Sequence, residues 1–463
     1  MNSVQRSGHR VNQMSAVEKD PEILNDLMNW CFSRHAGRQA RERRVRLFLK
    51  EFSELFDGSV PLITVAGTSG KGTTCAMLDA MLIASGHVTG MFMKPHLCHF
   101  RERISVNGIW IENPELEMHT NSVFARLRGI VAVHGEEYRA SLFEALLIIA
   151  ASVFCKRGVT IAIFEAGVGG FNDATSLLPS ILSVITSIDL DHQSELGGTI
   201  EEIARDKAGI APIGSILVVG AGIAEKPRRI VHEISADRGV RCIDAQEDAV
   251  QVSARSIHGQ TCEFQYQGRC HSVLVPFAGN RQVLNFATTT AIADVLVGLG
   301  ILKSIEAVSG VANAAIPGRF EHIAGTPSWL LDVAHNAASL QSLIETTSMH
   351  FCAEDLVVVL GATQAHDYRE FVRMICDWGV SLCFCEGFTK SVAVQDLRRE
   401  VPADFPVLST FSSPSEAVSF LLTEASARNK TIVVTGSLFL VGLVRLELIR
   451  RNILHSDNGE PIA

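Results

Sequence analysis

No Cys-x-x-Cys pair occurs among the eleven cysteines of this 463-residue chain, and their odd number follows no pattern. That usage points to reduced core thiols in a cytoplasmic protein. The closest two, Cys383 and Cys385, share an apolar strand-like stretch whose alternation puts both on one face. Long apolar runs are also missing. The most apolar one, Leu142 to Phe154, has thirteen residues, too few to span a bilayer. Met1 to Lys19 is polar and lacks a secretory apolar core, so a soluble protein with no membrane partner is expected. Internal repeats and low-complexity tracts are absent as well.

Positive charge is not in excess. The 41 Lys and Arg against 50 Asp and Glu leave a net charge of −9, which argues against a nucleic-acid partner. One segment departs from this balance: Arg34 to Arg46 carries six arginines in thirteen residues and leads into Leu47, Phe48 and Leu49. It reads as a solvated helix face over buried apolar partners, with a phosphate- or carboxylate-facing helix as the alternative and duplex binding the least favoured. The length, with 47% apolar and 20% charged residues, allows two or three domains with large cores.

What the chain does have is a glycine-rich loop, Val65-Ala-Gly67-Thr68-Ser69-Gly70-Lys71-Gly72-Thr73-Thr74, after the strand-like run Pro61 to Val65. Gly67, Gly70 and Gly72 allow backbone N–H groups to turn toward a polyphosphate, and Lys71 supplies a point charge. A helix from Thr73 to Ser85, with Met77, Leu78, Met81 and Leu82 at helical spacing, would aim its positive dipole end at the same phosphates. The strict G-x-x-x-x-G-K-[ST] pattern fails: Val65 holds the first glycine's place and Gly72 the hydroxyl's. Taken alone, such a loop is also what a tight surface turn looks like.

Short β-branched runs alternate with helical patterns at Pro61 to Val65, Thr160 to Glu165, Ile181 to Ile188 and Ser215 to Val219, as in a parallel α/β sheet. Between Cys242 and Val275 the segments Cys262 to Tyr266 and His271 to Val275 read as a β-hairpin, followed by a helix from Arg281 to Leu299. After Pro317-Gly318-Arg319 a second alternation begins, with Trp329 to Val333, Leu356 to Gly361, Ser381 to Glu386 and Thr431 to Thr435 as strands. The fold class is therefore α/β: an N-terminal, mostly parallel ATPase domain of the phosphate-loop type and a smaller, Rossmann-like C-terminal α/β domain. Residues 1–34 are expected to be a partly disordered extension, 35–316 the ATP-binding domain and 317–463 the C-terminal domain.

Polar groups cluster at predicted strand ends, where open α/β sheets bind ligands. They are Lys94-Pro-His-Leu97 with Phe100-Arg-Glu-Arg-Ile104, Glu165-Ala-Gly-Val-Gly-Gly170 with Asp173-Ala-Thr175, Asp191-His192, and Lys207-Ala-Gly-Ile210. With the glycine loop, Pro317-Gly-Arg319, Asp332-Val-Ala-His335-Asn336 and Thr435-Gly-Ser437, this order resembles the folylpolyglutamate synthase/dihydrofolate synthase family of Mur-type ligases, from about residue 35 to 448. The resemblance implies ATP-dependent amide formation: ATP phosphorylates a carboxylate, and an amino acid's amine attacks the acyl phosphate.

By position the resemblance makes Glu165 and His192 magnesium ligands and Lys207 a carbamylated lysine. A carbamate turns a cation without a lone pair into an anion that can accept hydrogen bonds or ligate the metal. Unmodified, Lys207 would be a salt-bridge residue, and His192 alone would read as structural. Residues Gly67 to Thr74, Asn285, Arg319 and Asp332 fall on ATP-contacting positions, and His335 and Ser437 on positions holding the incoming amino acid, L-glutamate. Lys71, Lys94, His192 and Lys207 are expected to take part in the chemistry, with ATP and Mg2+ as cofactors in a monomer.

Four positions depart from the family pattern. Lys94 replaces a metal-binding serine, Phe171 an arginine after the two glycines, Gln364-Ala-His-Asp367 a Lys-Asp segment, and Arg41-Glu-Arg-Arg-Val45 only half keeps Gly-Leu-x-Arg-Val. An ammonium cannot ligate a metal; Lys94 would place its charge on the phosphates, or leave the first magnesium to Glu165 and ATP. Three readings follow. The first is a ligase adding L-glutamate to a folate or dihydropteroate carboxylate, the second a paralogue acting on a non-folate acid. The third is an inactive nucleotide-binding regulator, against which the retention of Glu165, His192, Lys207 and His335 argues.

Overall fold

Every strand predicted from a β-branched run forms within three residues of its expected bounds. The computed structural model describes residues 20–32, 37–190, 193–364, 367–424 and 426–454. Its first sheet contains β1 (Leu62–Ala66), β2 (Thr89–Phe92), β3 (Ile104–Val106), β4 (Ile109–Trp110), β5 (Ile161–Glu165), β6 (Ser180–Ile185), β7 (Ile216–Val219) and β8 (Arg241–Asp244). The order is β4-β3-β2-β5-β1-β6-β7-β8. All neighbours are parallel except the β2–β3 and β3–β4 pairs. β1 and β5 are buried along their whole length, as expected of strands covered by helices on both faces. Their ends converge on the middle of the sheet, so the loops after β1, β2, β5 and β6 share one edge.

A three-stranded antiparallel sheet follows, β9 (Val250–Ser256), β10 (Gly259–Tyr266) and β11 (Arg269–Val275). It has one strand more than the predicted hairpin; β9 is largely exposed and polar, which hides it from an apolar pattern. The helix Asn280–Gly298 then returns to the first sheet. The third sheet contains β12 (Glu321–Ile323), β13 (Ser328–Leu331), β14 (Leu356–Leu360), β15 (Ser381–Cys385), β16 (Val407–Phe411) and β17 (Thr431–Thr435), in the order β12-β13-β17-β14-β15-β16. Only the edge strand β12 runs antiparallel.

Three expectations are corrected. Residues 22–30, assigned to an N-terminal extension, form a helix whose Leu24 and Leu27 are buried in the first lobe's core; the remaining residues of 1–34 are described only at 20–21 and 31–32. The glycine-loop helix starts at Lys71 rather than Thr73. The arginine-rich segment does form a helix, Arg38–Glu51, but its arginines are not all solvated. Arg44 is buried and bonds Glu144 through two N–H groups at 2.9 and 3.2 Å, a bidentate pair that meets the demand of burying two charges.

All eleven cysteines are free, and Cys383 and Cys385 are buried as expected, whereas Cys155, Cys270 and Cys352 are exposed. Among the described residues, no helix is long and apolar enough to cross a membrane.

Candidate functional site

β1 delivers the chain into the glycine loop, where Gly70 takes a left-handed φ of +80° and the helix Lys71–Ala84 begins without a side-chain cap. A side chain at Gly70 would also collide with the Asn285 amide oxygen, so glycine is required twice over. Gly72, in contrast, is helical; its missing side chain leaves room for Ile316, whose Cδ1 lies 3.3 Å from where a Cβ would stand. Lys71 Nζ donates to the carbonyls of Gly67 at 2.9 Å and Thr68 at 3.3 Å. An ammonium has three donors, so one remains for a phosphate.

The loop is pinned by residues that the sequence reading passed over. Thr186 Oγ1 donates to Ser69 O at 2.6 Å, Ser187 Oγ accepts from Ser69 N–H at 2.8 Å, and Thr68 N–H donates to Ser187 O at 3.0 Å. Arg281 Nη1 reaches Ser69 Oγ at 3.0 Å from the start of the Asn280–Gly298 helix. Thr186 and Ser187 follow β6 directly, and a polar pair closing an apolar strand is the signal that marks them. Asn285, on the same helix as Arg281, is buried, its amide nitrogen donating to Gln282 Oε1 at 2.8 Å. Thr73 and Thr74 are buried in the first helical turn.

Glu165 ends β5 and is only 4% exposed. Burial pushes its carboxyl pKa up; Lys71, the N–H of Lys94 at 3.0 Å, the Lys94 ammonium and Arg319 pull it back. Cations from three separate segments thus act on one buried carboxylate. Lys94 is itself lowered, first by burial and then by Lys71 and Arg103, against the opposing pull of Asp173 and Glu165. It therefore sits among the charges around Glu165. Asp173 orders the loop after Glu165, accepting from Val168 N–H at 2.9 Å and Thr175 N–H at 2.9 Å.

Lys207 is buried in the helix Ile200–Ala208, directly behind this loop: a Cβ on Gly170 would lie 2.7 Å from the Lys207 carbonyl oxygen. His192, the other expected metal ligand, lies outside the described residues, as do Ala365 and His366. Among the described residues no group of three His, Cys, Asp or Glu side chains is placed to hold a metal. Phe171 is 37% exposed and carries the Arg38 guanidinium over its ring. Arg38 and Arg41 also donate to the carbonyls of Phe171 and Asn172. Cations from the arginine-rich helix therefore stand beside the position where the family pattern has an arginine.

The third sheet supplies the opposite wall. Arg319 follows Gly318 and acts electrostatically on both Glu165 and Asp332. Asp332, beyond β13, accepts from the N–H groups of Phe320 and Ala334, each at 2.9 Å, and burial raises its pKa. His335 and Ser437 stand at the ends of the adjacent parallel strands β13 and β17, tied by Gly436 N–H to Ala334 O at 2.9 Å. His335 Nδ1 lies 2.8 Å from Val333 O, and buried Ser437 accepts from Phe439 N–H at 3.2 Å. Arg319 also lines a cavity of ≈ 410 Å³ with Trp110, Phe277 and His322, large enough for part of a small-molecule substrate.

The chain is similar to known proteins along most of its length. Residues 318–438 match the family model described as Mur ligase, glutamate ligase domain. The dihydrofolate synthase/folylpolyglutamate synthase of Bacillus subtilis (strain 168) is 30% identical over 391 residues, covering 83% of this chain and 89% of that protein. Among solved structures, the apo form of L. casei FPGS superposes with a TM-score of 0.80 at 25% identity, covering 92% of this chain and 99% of that one. The Mycobacterium tuberculosis folylpolyglutamate synthase complexed with ADP gives 0.79 at 26% identity, covering 92% and 97%. Because the identity runs through both lobes rather than one, the chain belongs to the dihydrofolate synthase/folylpolyglutamate synthase family.

Proposed function

We propose that this protein is an ATP-dependent ligase that joins L-glutamate to the carboxylate of a folate or dihydropteroate through an acyl phosphate. The observation that carries the reading is the set of cations from both lobes, Lys71, Lys94 and Arg319, around buried Glu165. A lone buried carboxylate is costly, and this arrangement makes sense when phosphate oxygens share the cleft. The ADP complex of the M. tuberculosis relative supports ATP as the partner of the glycine loop.

The glycine loop fits a bound nucleotide, and of the two expected metal ligands Glu165 is the one among the described residues. Lys71 and the uncapped helix start would hold the β- and γ-phosphates, Arg281 would brace the loop through Ser69, and Asn285 and Arg319 would border the nucleotide. Glu165, with His192, would hold magnesium, which would supply positive charge to screen the phosphates. Lys207 is assigned the carbamate. His335 and Ser437 would orient the amino acid, and Asp332 would join the two substrate regions. The working unit is a monomer of two domains divided near Ile316, with no nucleic-acid partner.

Phe171 under Arg38, together with Lys94, favours a second reading in which the acceptor is a non-folate acid. ADP release by the purified protein, measured against dihydropteroate, folates and other carboxylic acids, each with L-glutamate and other amino acids, separates the two. Release that requires both a pterin-bearing acid and glutamate is expected. Release with only a non-pterin acid would transfer the assignment to the second reading, and no release with any pair would leave a nucleotide-binding regulator.

A further inference from the structure

The segment between β2 and β3 reaches from the first lobe into the second, and its backbone is clamped at both ends by carboxylates. Glu165 accepts the N–H of Lys94 at 3.0 Å. Glu102 accepts three in succession, from Leu97 at 2.6 Å, Cys98 at 2.8 Å and His99 at 2.6 Å. Held this way, the loop projects Leu97 out of its own lobe, and the side chain packs against the core of the third sheet.

What receives Leu97 is a notch made by two glycines. A Cβ on Gly318 would lie 2.9 Å from Leu97 Cδ2 and 3.2 Å from Val333 Cγ1. A Cβ on Gly442 would fall onto the Leu97 carbonyl oxygen. Gly442 lies inside the helix Leu438–Arg450, where glycine is disfavoured against alanine by about 1 kcal/mol. An interior glycine there calls for a packing reason, and the approach of Leu97 provides one. Cys98 Sγ adds a contact to Gly442 O at 3.5 Å.

A buried guanidinium ties the notch together. Arg445, one turn beyond Gly442 and 1% exposed, bonds both oxygens of Glu321 at 3.1 Å, while Glu321 accepts from Gly318 N–H at 2.8 Å. The same guanidinium acts on Glu102, whose carboxyl burial pushes up and whose N–H donors and Arg445 hold down. One cation therefore serves both the carboxylate that shapes the loop and the one that holds the Gly318 backbone.

We propose that Leu97 is a positioning residue: seated between Gly318 and Gly442, it sets the helix that begins after Ser437 against the loop that carries Lys94 to Glu165. The two ends of the site then move as one unit, and the amino-acid side is aligned only when the notch is filled. The inference rests on the ligase reading for its consequence in catalysis, but the coupling itself is readable without turnover.

The test compares wild type with Leu97→Ala, Leu97→Met and Gly442→Ala by hydrogen exchange, with and without a non-hydrolysable ATP analogue, alongside steady-state kinetics. In wild type the analogue should slow exchange in the glycine loop and in the first turns of the Leu438–Arg450 helix. Leu97→Ala should keep the former and lose the latter, lower kcat/KM for the amino acid by about tenfold or more, and leave the ATP Kd within about twofold. Leu97→Met, which keeps length and apolarity, should restore both. Gly442→Ala should act in the same direction and more strongly, because a backbone carbonyl cannot turn aside; should it fail to fold, Leu97→Ala carries the test. Equal protection of the helix in wild type and Leu97→Ala, or none in wild type with a protected glycine loop, overturns the inference alone. An unprotected glycine loop in wild type overturns the ATP reading and the inference with it.

Discussion

The helix after β1 and the helices after β13 and β17 occupy equivalent places at the ends of parallel strands, yet they begin differently. The first starts at Gly70 with no side-chain cap, so its leading N–H groups are open to an outside acceptor. The other two are closed by their own residues: Asn336 accepts from Ser339 N–H in a reciprocal capping box, and Ser437 accepts from Phe439 N–H. The charges follow the same division. Lys71 and Lys94 belong to the first lobe, and the second answers with Arg319. The first lobe thus presents an open helix start with two cations, and the second presents closed helix starts with one.

If the uncapped start and its lysine are the phosphate holder, Lys71→Ala should have the largest effect of any single change. ADP release is expected to fall by roughly 10² or more; more than about a tenth of wild-type turnover would show that the open helix end is only a turn. A smaller effect is expected at Lys94, which sharpens how the first lobe handles charge. Lys94→Ser substitutes a neutral oxygen for an ammonium that faces Glu165 and Asp173. Turnover should persist within about tenfold but become steeper in magnesium, read as ADP release against magnesium at fixed ATP. Identical magnesium curves for both proteins would place Lys94 outside the phosphate site.

The smallest effects belong to the capped side. His335→Ala and Ser437→Ala should each raise KM for the amino acid by several-fold, about 1 kcal/mol of binding, and leave KM for ATP unchanged. Ser437→Ala should in addition lower stability by about 1 kcal/mol through the lost cap, seen in thermal unfolding and absent in His335→Ala. A change in KM for ATP alone would mean that the two lobes do not divide the substrates as proposed.

Residue type and spacing made much of this site legible. The glycine loop was legible from its residues and its place after a strand-like run, whereas Glu165, Lys207, Arg319, Asp332, His335 and Ser437 were singled out by their positions in the family that the motif order resembles. Arg281, Thr186 and Ser187 were not, because their partner Ser69 is more than a hundred residues away in sequence. The same limit hid the helix 22–30 as part of the core and the Arg44–Glu144 pair.

By itself, then, the sequence determined the α/β alternation, the order of the polar loops and the identity of the groups that could meet a phosphate, because these depend on local backbone preference and side-chain chemistry. Only the tertiary structure decided which of those loops share a cleft. It placed Lys94 beside Glu165, stacked Arg38 on Phe171 and let Leu97 enter the notch at Gly318 and Gly442. Those contacts join distant segments, and what selects them is the packing of whole sheets and helices, a property no single segment carries.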